Sequence, residues 1–117
     1  MPVNKHLPNL DPEYMLDDYG AMLNLIRNQY DPPLPIERIE TIKKAFFLGI
    51  DYMQERGFIK RKIIDNAQDV EKLQLFVRDF TEEGLLFYRT KYQNYLTAID
   101  KVSTIPEEAV KRYLKNN

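Results

Sequence analysis

The sequence predicts an all-α domain, an irregular bundle of four to five amphipathic helices. Three observations predict it: apolar residues recur at three- and four-residue steps, helix-start chemistry stands ahead of most such stretches, and no strand-like run has its own turn signal. A chain of 117 residues suffices for one core, so residues 1–117 are expected to form a single domain, with 1–10 a flexible N-terminal arm.

The first helix is expected to start at Asp11-Pro12-Glu13, where Asp can accept from free amides of the first turn and Pro loses nothing at the first helical position. Met15, Tyr19, Met22, Leu23, Ile26 and Tyr30 would share one face, and Asp31-Pro32-Pro33-Leu34-Pro35 would stop the helix. The second helix carries Ile36, Ile39, Ile42, Phe46, Ile50 and Met53 as a long stripe, ended by Gly57 in the position of a left-handed cap. Phe47 and Leu48 lie outside that stripe and widen it into a belt, as on a central helix packed on two sides or on a helix that leaves apolar surface for a partner. Residues 58–64 have no clear period and read as a connector.

A third helix is expected over Asn66 to Phe80, because Asp65 with Gln68 is a capping-box variant and Val70, Leu73, Phe76, Val77 and Phe80 keep helical spacing. Thr81-Glu82-Glu83 supplies a hydroxyl cap and two carboxylates at the positive end of a fourth helix. Its face would be Leu85, Tyr88, Tyr92, Leu96 and Ile99, widened by Leu86, Phe87 and Tyr95. Ile105-Pro106-Glu107-Glu108 repeats the start chemistry for a short last helix with Val110, Tyr113 and Leu114.

Charge and composition narrow the function. With 17 Lys plus Arg against 18 Asp plus Glu, the net charge of −1 offers no whole-molecule field for phosphates, anionic lipids or cationic substrates. The absence of cysteine excludes disulfides, thiolate metal sites and cysteine nucleophiles. The N-terminus lacks the apolar core of a signal peptide, and the longest apolar stretch, Ala45 to Ile50, is far short of the roughly 20 residues a membrane span needs. A cytoplasmic location is therefore expected.

Catalytic groups are scarce. The lone histidine, His6, stands in the N-terminal arm, where it would be a poor general base. Too few His and Cys residues exist for a zinc site or a di-iron bundle. The pairs Asp17-Asp18, Glu82-Glu83 and Glu107-Glu108 point about 100° apart on a helix, so they do not converge on one ligand. Gly20, Gly49, Gly57 and Gly84 are scattered singly and make no phosphate loop, and Ser103 and Thr104 have no histidine beside them in sequence. No cofactor and no metal is expected, and no enzymatic role. A carboxylate or tyrosine centre assembled by folding is the one catalytic form the sequence leaves open.

Two surfaces remain. Tyr88, Tyr92 and Tyr95, with Phe47 and Leu48, are candidates for a protein-binding face, because tyrosine rings bury area at low entropic cost while their hydroxyls stay wet; core packing with the hydroxyls at the rim explains the tyrosines equally well or better. The basic cluster Arg56, Lys60, Arg61 and Lys62 is the alternative, a nucleic-acid contact between two helices. Its spacing is poor for a helix-turn-helix, and Asp65, Asp69 and Glu71 follow with the wrong sign.

The stretch Phe80-Thr81-Glu82-Glu83-Gly84-Leu85, continuing through Tyr92, Tyr95-Leu96 and Ile99-Asp100-Lys101, resembles the last long helix of small helical immunity proteins encoded beside bacterial polymorphic toxins. That resemblance implies a protein that binds and blocks a cognate toxin without catalysis of its own. Immunity proteins that neutralise nucleases are often strongly acidic, and this nearly neutral chain departs from them. The expected function is thus a non-catalytic protein-binding module whose partner is another protein, such as a toxin, or a second copy; a small helical nucleic-acid-binding regulator is the alternative.

Overall fold

The computed structural model describes residues 11–99 and 105–115, so His6, Ser103, Thr104 and the N-terminal arm lie outside the described residues. The chain is mostly helical, with one addition that the sequence pattern did not predict: a two-stranded antiparallel sheet. Strand β1 (Met15–Asp18) pairs with β2 (Gln74–Phe76) in the register Met15 with Phe76, Asp17 with Leu75 and Asp18 with Gln74, with an irregularity between Met15 and Asp17.

The sheet takes the place of two expected stretches of helix. Asp11 does not cap a helix: its carboxylate accepts from Glu13 N at 2.8 Å and its carbonyl from Tyr14 N at 2.9 Å, closing a turn. Carbonyls of Pro12 and Tyr14 then accept from Arg78 N and Val77 N, both at 3.0 Å, so this segment spends its hydrogen bonds across the chain. Helix α1 (Tyr19–Asn28) begins only where the Asp18 carboxylate accepts from Ala21 N at 3.0 Å.

Over residues 66–80 the expected third helix is replaced by a 3-10 helix (Ala67–Lys72), β2 and a 3-10 turn (Val77–Asp79). The capping box is present but one residue later than expected, with Asn66 as the cap and Asp69 reaching back. From Leu73 onward the chain alternates instead: Leu73, Leu75 and Val77 are buried while Gln74 and Arg78 are exposed.

Helix α2 (Ile36–Glu55) runs as the sequence predicts and ends in a Schellman motif. Gly57 adopts φ of +78°, Gly57 N donates to Gln54 O at 3.1 Å, and Phe58 N donates to Met53 O at 2.9 Å. This helix is the centre of the domain: it contacts α1 and the Ala67–Lys72 helix as well as the later helical segments Gln93–Ile99 and Pro106–Ala109, and buries Ile42, Phe46, Ile50 and Met53.

The fourth predicted helix is one continuous rod in three parts, α3 (Glu82–Phe87), a π-helical turn (Tyr88–Tyr92) and α4 (Gln93–Ile99). Thr81 caps it, accepting from Gly84 N at 2.9 Å. Within the wide turn, Gln93 Nε2 donates to the Tyr88 carbonyl at 3.2 Å. The last predicted helix is α5 (Pro106–Ala109), which continues as π-helical turns over Val110–Lys115.

A polar clamp joins α1, α2 and the Ala67–Lys72 helix. Glu71 takes a forked pair of hydrogen bonds from Arg27, at 2.6 and 3.3 Å, and lies 3.1 Å from Lys43 Nζ. Lys43 is only 3% exposed and donates to Gln68 Oε1 at 3.0 Å. The Arg27 guanidinium holds the Glu71 carboxyl below its ordinary pKa, and Glu71 raises that of Arg27 in turn.

Candidate protein-binding surface

The tyrosines of α3, the π-helical turn and α4 point inward, which corrects the expectation that they form an accessible face. Tyr92 and Tyr95 have no exposed surface and Tyr88 is 7% exposed. Positions 88, 92 and 95 do share one side of the rod, but that side faces α2 and β1. Each hydroxyl finds a partner inside: Tyr88 OH donates to Asp17 Oδ2 at 2.6 Å, Tyr19 OH and Tyr92 OH are 2.6 Å apart, and Tyr95 OH donates to the Ala45 carbonyl.

Folding thus assembles a carboxylate among phenols, from residues more than 70 positions apart in sequence. Burial pushes the Asp17 carboxyl up, against the hydrogen bonds from Tyr88 and Tyr19, and burial also pushes Tyr19, Tyr88 and Tyr92 above the usual phenol range. A phenol held away from ionisation makes a weak nucleophile or base. The cluster instead ties β1 to the C-terminal rod. Tyr92→Phe is expected to fold normally and lose about 1–2 kcal/mol, read as a lower urea midpoint with unchanged slope, because Tyr19 OH is left with only its 3.4 Å contact to Asp17. An unchanged midpoint would mean the buried hydroxyl pair contributes nothing.

Phe47 and Leu48 are half-buried against the core. Leu48 lines a shallow cleft of about 400 Å³ with Tyr52 and Val110, rimmed by Asp51, Glu55 and Glu107 together with Arg56 and Lys115. Among the described residues, no group of three His, Cys, Asp or Glu side chains could hold a metal ion.

The basic cluster is dispersed by the fold. Arg56 lies over the rings of Tyr52 and Phe58, 5.6 Å from each centroid. Lys62 pairs with Asp65 at 3.3 Å, and Arg61 lies 3.8 Å from Asp79, a nearly buried carboxylate. Lys60 is exposed, and its backbone N–H donates to the Asp79 carbonyl at 2.8 Å. The polar cleft of about 550 Å³ beside this connector sets Arg61, Lys72 and Arg78 against Asp65, Asp69 and Asp79, so equal numbers of each sign meet there. Such a balance gives a phosphate backbone little to bind.

Sequence reasoning missed an apolar groove of about 330 Å³ between α1, α2 and α4. Ile42 and Phe46 lie along its α2 side, Met22 and Ile26 of α1 and Leu96 and Ile99 of α4 also line it, and Tyr30 and Leu34 stand where α1 passes into α2. Arg38 lines it too and donates to the Ile99 carbonyl at 3.4 Å. Two large apolar side chains that line this groove stand partly in solvent, Leu25 at 66% and Tyr30 at 46% exposed, and at the start of α2 Ile36 is 76% exposed. The outward residues of α1, Ala21, Asn24, Leu25 and Asn28, carry no charge, and Arg27, the one charged residue of this helix, is turned to Glu71. That absence of charge was the signal available in the sequence.

No protein-family model matches the chain, and no curated protein or solved structure matches it either.

Proposed function

We propose that this chain is a non-catalytic protein-binding module, which acts by covering a surface of another polypeptide as an immunity or inhibitor protein does. The observation that supports the reading is the pairing of an apolar groove with an uncharged, leucine-bearing helix face along its edge. The cores of protein interfaces are marked by depletion of charged residues, and an exposed helix in a chain of 30% charged residues ordinarily carries them. The tyrosines that the sequence offers for this role are spent on the core, and Leu48 lies at the shallow cleft beside α5.

The test is a comparison of two immobilised proteins, the natural chain and Leu25→Glu/Tyr30→Glu, in extract of the cells that make it. Both side chains are exposed, Leu25 for two-thirds and Tyr30 for nearly half of its surface, so the double variant should match the natural chain in circular dichroism and melting. The natural chain is expected to retain a polypeptide that the variant releases. Retention by both proteins would remove this surface, and retention by neither would remove the protein-binding reading.

A further inference from the structure

We draw no further inference here: the strongest candidate, the shallow cleft that Leu48 and Tyr52 of α2 form with Val110, carries both signs of charge on its rim, Asp51, Glu55 and Glu107 against Arg56 and Lys115, and nothing in the structure shows what covers it.

Discussion

Gly84→Ala is expected to destabilise the domain by about 3 kcal/mol or more, seen as a melting point lower by about 15 °C. A Cβ at this position would sit 2.1 Å from the Phe58 carbonyl oxygen, 2.8 Å from its carbon and 2.9 Å from its Cα. All three are backbone atoms, so no flexible side chain can swing aside. Phe58 is fixed from both directions: its N–H closes the Schellman motif of α2, and its carbonyl accepts from Thr81 N at 3.0 Å and Thr81 Oγ1 at 3.3 Å. The neighbouring bridge between Ile59 and Phe80 holds the same two segments together. Relief would require the start of α3 to move off the connector, breaking the two bonds from Thr81 to the Phe58 carbonyl. Thermal unfolding of the purified variant measures this, and a melting point within about 3 °C of the natural chain would show that the contact yields without cost.

The parts of the fold legible in the sequence are those where period, start and stop agree. Helix α2 has all three, and the rod from Glu82 to Ile99 has its Thr81 cap and long stripe. Residues 73–77 were misread because Leu73, Phe76, Val77 and Phe80 satisfy helical spacing while Leu73, Leu75 and Val77 satisfy strand alternation equally well. Only pairing with residues 15–18, nearly sixty positions earlier, decides between them. The same pairing displaced the start of α1, because Asp11 and Asp18 are both competent caps and the sequence alone does not say that β1 claims the residues between them.

The candidate surface was legible in a different measure. Periodicity correctly placed Tyr88, Tyr92 and Tyr95 on one side of a helix, but a side rich in tyrosine looks the same whether it meets water or a carboxylate. Asp17, which receives the Tyr88 hydroxyl, lies 71 residues away. The groove depends on α4 coming alongside α1, a long-range fact with no local signature, whereas the charge-poor face of α1 stood in the sequence as one Arg in ten residues.

Glu71→Ala is the second large effect, expected to cost about 2 kcal/mol at neutral pH and about 10 °C in melting point. Removing one member of a buried pair commonly costs about 3–5 kcal/mol, because the other charge is left uncompensated. The lower figure applies here because Glu71 is itself partly exposed, at 29%, and Lys43 keeps Gln68 at 3.0 Å and Glu40 at 3.5 Å. Adding Lys43→Met to Glu71→Ala should recover part of the loss, since the cost lies in the buried ammonium that has lost its nearest carboxylate. The advantage of the natural chain over Glu71→Ala also depends on pH. Arg27 depresses the folded-state pKa of Glu71 below its ordinary 4.5, so the stabilisation is complete above 4.5 and is lost as pH falls through the depressed value. Asp17, raised by burial, contributes with the opposite sign, losing stability as pH rises from 3.8, but it is common to both proteins and cancels in their difference. Melting points of the pair that stay equally far apart from pH 7 down to well below 4.5 would contradict the ion-pair origin of the effect.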